Sequence, residues 1–179
     1  MVESGALNFL AGASRAAWYA IQVRSRSEVL ARAELGLRGI ETFLPTQKVK
    51  RKWSDRTKVM DLPLFPGYLF GRFDTGQRYK VLNAPGVAQI VGAGSTPVAV
   101  DEAEIGSIQA LMESRTKVTA WPYLREGQRV TVEEGPLAGV QGIVVRAADG
   151  KSRVVVQVTL LQRAVAAEIE REWVGAARG

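Results

Sequence analysis

The residues best suited to bind something are cations. In "TQKVKRKWSDRTKVM" (46–60), Lys48, Lys50, Arg51, Lys52, Arg56 and Lys58 stand against Asp55, so this one segment holds +5 of the chain's net +6. A concentrated cationic strip attracts a nucleic-acid backbone or another acidic surface, and salt weakens that attraction. Trp53, inside the strip, offers an indole face on which an unpaired base could stack. By residue type alone, the strip could equally be a solvated hairpin whose charges keep an edge from aggregating, with Trp53 as its staple.

Other chemistries have little to work with. The 179 residues include no cysteine and no histidine, which removes disulfides, thiolate or imidazole metal sites, and every nucleophile activated by histidine. Carboxylates could still serve acid–base work, as in a hydrolase, but no pair sits in a recognisable motif, and no phosphate-cradling glycine loop is present. We expect no catalytic residue, no metal and no cofactor. An apolar content of 46% is that of a soluble globular protein. Apolar runs such as "VVVQV" are too short to span a membrane. A glutamate and no basic residue precede "ALNFLAGA", unlike a signal peptide, so residues 1–16 read as a flexible tail. Lack of cysteine fits a reducing cytosol, and a cytoplasmic location is expected.

The elements that must carry these residues follow from hydrophobic period and punctuation. "WYAIQV" (18–23) is an aromatic and β-branched run of strand length. A helix follows, where Ser25 and Glu28 have capping-box spacing, Val29, Leu30, Ala33 and Leu37 recur at roughly helical spacing, and Gly39 suits a C-cap. "ETFLP" reads as a strand, and the cationic strip as a hairpin, Gln47–Trp53 with Thr57–Leu62. It leads into "LPLFPGYLF" (62–70), whose prolines and glycine sit among leucines and aromatics before the strand "YLFGRF". A short helix, a short strand "AQIVG" and a helix capped by Asp101 complete this half, the last with Ile105, Ile108, Leu111 and Met112 as its buried stripe.

Past "RTKVTAWPY" the helical period vanishes. We place a linker at 115–123 between a domain at 17–114 and a second at 124–174. The second alternates valine-rich strands with glycine turns, as a small β-barrel does, and its charges nearly cancel, with eight basic against seven acidic residues over 124–179.

"EEGPLAGVQGIVV" places Gly135, Pro136, Gly139 and Gly142 between strands and resembles the KOW motif. "WYAIQV", "FLPT", "FPGY" and "APGVAQIVG", in that order before it, resemble the NGN domain of the NusG family. The resemblance covers about residues 17–174. It implies an α+β architecture, with an antiparallel NGN sheet and packed helices followed by an SH3-like KOW barrel. It further implies a monomeric, non-enzymatic transcription elongation or antitermination factor that binds RNA polymerase. Family positions that receive the clamp helices of the largest subunit match Trp18, Tyr19, Phe65, Pro66 and Tyr68; of these Phe65 and Pro66 are expected to be exposed, while Trp18 and Tyr68 could equally be core. A second polymerase contact falls near Arg78 and Tyr79. The cationic hairpin is implied to face upstream or non-template DNA.

One stretch departs from the family. General NusG factors carry an aromatic followed by glycine and arginine on the barrel loop that meets a ribosomal protein or Rho, whereas this chain has Leu161, Gln162 and Arg163. The departure argues against coupling to ribosome or Rho through Leu161 and Arg163, and the texture is akin to the specialised RfaH and UpxY branch. The β-branched "SRVVVQV" should remain a strand. A ribosome- or RNA-associated KOW module is the alternative, though an RNA-binding barrel should itself be basic.

Overall fold

The computed structural model describes residues 15–124, 127, 129–170 and 173–175; the expected tail lies outside them except at its last two residues. The first half runs β1 (Ala17–Val23), α1 (Glu28–Leu37), β2 (Glu41–Phe43), β3 (Thr46–Lys52), β4 (Thr57–Pro63) and β5 (Tyr68–Phe73). It continues with α2 (Arg78–Leu82), β6 (Val87–Ile90), a two-residue pair β7 (Gly92–Ala93) and β8 (Thr96–Pro97), and α3 (Glu102–Glu113). The second half is β9 (Val118–Trp121), β10 (Arg129–Val132), β11 (Gln141–Arg146), β12 (Ser152–Val158), β13 (Arg163–Glu168) and β14 (Val174–Gly175).

Strands β2-β5-β1-β6 form one antiparallel sheet. Side chains of a strand alternate between faces, and β1 shows the consequence. Tyr19, Ile21 and Val23 pack with Ala31 and Leu35 of α1 and Val81 of α2, whereas Trp18 and Ala20 share a core with Ile105, Ile108 and Leu111 of α3. The sheet is thus covered by α1 and α2 on one side and α3 on the other.

α1 is turned differently from the expected stripe. Ala31 and Leu35 are fully buried, while Val29 is 74% and Leu37 84% exposed, and Leu30 and Ala33 are exposed too. Its cap also differs: the N-cap is Ser27, without a side-chain capping bond. Glu28 instead accepts a hydrogen bond from the Gly67 backbone N–H at 3.0 Å, so a tertiary donor takes the carboxylate that a local cap would have used. α3 largely follows expectation, with the Asp101 carboxylate accepting from Ala103 N–H at 2.7 Å and Ile105, Ile108 and Leu111 buried, but Met112, at the edge of the stripe, is only half-buried.

The second sheet has the order β14-β10-β11-β12-β13-β9, every pair antiparallel. Part of the expected linker belongs to it, because Val118–Trp121 pairs with β13; Val118 is buried, which gives the segment a reason to join a sheet. "SRVVVQV" is strand β12, with Val154, Val155, Val156 and Val158 buried. At Gly142 the neighbouring strand comes so close that a Cβ would lie 2.5 Å from the Val155 carbonyl oxygen, so this position needs glycine.

The two halves pack together. α3 lies against β11 and β12, and one apolar cluster runs from Trp18, Phe65 and Phe70 through α3 to Val132, Leu137, Val140, Val154, Val156 and Val165. Polar bonds frame it: Gln141 N–H donates to Ser107 Oγ at 3.0 Å, and Thr159 donates to Glu104 from its N–H at 3.2 Å and its hydroxyl at 2.6 Å.

Candidate functional site

"FPGY" is a turn of defined type. Tyr68 N–H donates to the Phe65 carbonyl at 3.0 Å, Pro66 occupies the second position, and Gly67 has φ +85°, which together describe a type II turn. Both backbone groups of Gly67 are held, its N–H by Glu28 and its carbonyl by Val23 N–H at 2.9 Å. The turn therefore fixes where Pro66 and Tyr68 stand.

It does not expose Phe65. The ring is 1% exposed and meets Phe70 edge-on, centroids 5.6 Å apart. A row of rings continues from Phe70 to Phe43 at 6.2 Å and from Phe43 to Trp18 at 6.5 Å. Phe65 and Trp18 are thus the buried support of this face, contrary to the exposure expected for Phe65: the turn folds the ring back, and burial of so large an apolar side chain is strongly favoured. Tyr19 looks the other way and packs on Phe73, centroids 4.6 Å apart. Pro66 is exposed and Tyr68 half-buried. What lies over them is Arg163, whose guanidinium carbon is 5.0 Å from the centre of the Tyr68 ring and whose Nη1 donates to the Pro66 carbonyl at 3.3 Å. The sequence set these five residues together, and the structure joins only Pro66 and Tyr68 at the surface.

Strands β3 and β4 form a separate two-stranded hairpin. Its register pairs Lys48 with Asp61, Lys50 with Val59 and Lys52 with Thr57, so the three lysines share one face. Arg51 pairs with Lys58 on the other face, beside the pair Val49 and Met60. Like charges directly opposite each other destabilise a hairpin. None of Lys48, Lys50, Arg51, Lys52, Arg56 and Lys58 has an ion-pair partner among the described residues. Trp53 sits at the turn, its N–H bonded to the Arg56 carbonyl at 2.8 Å, and its side chain is 57% exposed. An indole that staples a hairpin would be covered; this one is open to solvent.

Arg78 and Tyr79 start α2, on the α1 side of the sheet and away from Tyr68. Tyr79 is 76% exposed, beside a shallow pocket of ≈ 410 Å³ that it lines with Arg38, Lys80 and Asn83. Leu161 is half-buried against the shared core, and Gln162 is left-handed at φ +50°. Among the described residues no group of three acidic, histidine or cysteine side chains could hold a metal ion, and no helix is long and apolar enough to cross a membrane. Sequence reasoning missed the bonds made by Glu28, Glu104 and Ser107, because a long-range partner leaves no local pattern.

An antiparallel sheet covered by helices, with a cationic arm and a second all-antiparallel domain, defines a two-domain α+β protein. Residues 16–109 match the family described as transcription termination factor NusG. The transcription termination/antitermination protein NusG of Helicobacter pylori strain J99 is 32% identical over 141 residues, covering 71% of this chain and 79% of that one. The protein of the same description from Thermus thermophilus is 30% identical over 173 residues, covering 86% and 94%. A solved structure concerned with domain interaction in Thermotoga maritima NusG covers 93% of this chain and all of that one, with TM-score 0.50 and 22% identity, a likeness of fold. The chain belongs to the NusG family of transcription termination and antitermination factors. Membership makes it a non-enzymatic transcription factor and implies association with RNA polymerase.

Proposed function

We propose that the chain binds elongating RNA polymerase through the Pro66–Tyr68 edge, receiving the clamp helices of the largest subunit, and so modulates pausing and termination. The observation that carries this reading is the cover on that edge: Tyr68, posed by a rigid turn over a stack of buried rings, is held by one side chain of the C-terminal domain, Arg163. Rigid aromatics make good interface anchors because little entropy is lost on docking. Trp18 and Phe65 act as its support, and Tyr19 belongs to the opposite core. In this arrangement the C-terminal domain shares the edge with the partner, so docking displaces Arg163. Tyr79 is a second contact on the other side of the sheet.

The hairpin lies along upstream or non-template DNA in this reading, supported by its cations, which have no ion-pair partner among the described residues, and by exposed Trp53. A KOW-type module at 124–174, with Leu161 where the family pattern has an aromatic, supports a specialised branch akin to RfaH and UpxY, with weakened coupling to ribosome or Rho. Co-purification with core polymerase tests the main reading: Tyr68→Ala should reduce the recovered complex, and undiminished recovery would place the contact elsewhere.

A further inference from the structure

We propose that the cleft at the foot of the hairpin is a second nucleic-acid site, built to take the phosphates of a single strand. The inference rests on the hairpin's proposed contact with nucleic acid and extends it to residues outside the hairpin. The cleft has a volume of ≈ 480 Å³ and is bounded by Thr46, Gln47 and Lys48 of β3 and by Arg115, Thr116 and Lys117 beyond α3. Its lining holds three cations and two hydroxyls but no carboxylate. Met112 and Val118 add an apolar floor, suited to a sugar or the face of a base. Such a space is too small for a duplex.

Register connects this cleft to the hairpin. Lys48 lines it and shares a face with Lys50 and Lys52. Alternate residues of a strand stand about 6.8 Å apart, close to the step between successive phosphates of an extended strand. Lys52, Lys50 and Lys48, then Arg115 and Lys117, make a cationic track that Arg51 and Lys58 on the far face do not join. Arg115 and Lys117 have no ion-pair partner among the described residues. Arg115 is held at φ +59°, a conformation that glycine or asparagine adopts more easily, and strained backbone of this kind gathers at binding sites. The carbonyl end of α3 also favours nearby cations, so a loss of stability alone would not identify the site.

The test is fluorescence anisotropy with the full chain and one short labelled sequence presented as single-stranded DNA, single-stranded RNA and duplex DNA. For Arg115→Gln with Lys117→Gln, we expect about tenfold weaker binding of the preferred single strand. The salt slope should be smaller by about 1.4, since each phosphate no longer neutralised lowers it by about 0.7. Duplex binding should be unchanged. Thr116→Glu, which puts a carboxylate in the cleft, should have the same selectivity, and circular dichroism checks that each variant is folded. Unchanged single-strand affinity and slope in folded variants would overturn the cleft while leaving the hairpin's role intact. Equal loss for the duplex would overturn its selectivity for one strand, and absence of binding by the unaltered chain would remove both readings. The DNA and RNA arms identify which strand occupies the site.

Discussion

Arg163 at the start of β13 and Tyr68 at the start of β5 form a cation–π contact, the guanidinium carbon 5.0 Å from the ring centre. They are 95 positions apart in the chain and belong to different sheets. The pair therefore reports how the two domains meet. It puts a hydrophilic, removable lid on the edge at which polymerase is proposed to dock.

The rest of the frame can be weakened separately. Glu104 accepts from both the N–H and the hydroxyl of Thr159. These groups are exposed, so Glu104→Ala should lower stability by only about 1 kcal/mol. It should also loosen the domains, which nitrogen-15 relaxation would record as faster tumbling of each. Unchanged tumbling would mean that the apolar cluster alone joins them.

α1 offers a sharper contrast. Leu35 is fully buried and Leu37 is 84% exposed, two residues further along. Leu35→Ala should cost about 2–5 kcal/mol, and Leu37→Ala should stay within about 0.5 kcal/mol. Urea denaturation decides; similar costs would restore the inward stripe that the spacing suggested.

This contrast shows where the sequence was legible. Residue type in "WYAIQV" and "YLFGRF" identifies both strands, but with apolar residues on both faces it did not separate Trp18 from Tyr19, which the sequence set on one patch and the pleat sends to opposite cores. The α1 segment has apolar residues around most of its circumference, so the helical period could not say which arc faces the sheet. The prolines and glycine of "LPLFPGYLF" marked the entry to a strand, but burial of Phe65 depends on Phe70 and α3, which no local pattern encodes. The hairpin was the most readable part of the candidate site, since charge density and turn residues are both local. Its division into a lysine face and an Arg51–Lys58 face required the register.

Gln162 gives a prediction from backbone alone. At φ +50° it occupies a region where glycine has no Cβ penalty. Gln162→Gly should be neutral to stabilising by up to about 1 kcal/mol, despite the greater freedom glycine gives the unfolded chain. A clear loss of melting temperature would show that the Gln162 side chain makes up for the strain.

The hairpin should trade stability for binding. Lys58→Glu replaces a like-charge pair with Arg51 by an attractive one, and should stabilise the hairpin by about 0.2–1 kcal/mol. Charge reversal at Lys50, Arg51 and Lys52 should weaken DNA binding more at low salt than at high salt, with the slope falling by about 0.9 for each duplex phosphate no longer neutralised. An unchanged slope would remove DNA from the hairpin's role.

If polymerase and Arg163 compete for the Tyr68 edge, the affinity of the full chain for core RNA polymerase must respond to both residues. Tyr68→Ala should weaken binding about tenfold, or about 1.4 kcal/mol, while Arg163→Ala should strengthen it several-fold by uncovering the edge. Equal affinities for all three proteins, or weaker binding by Arg163→Ala, would contradict that competition.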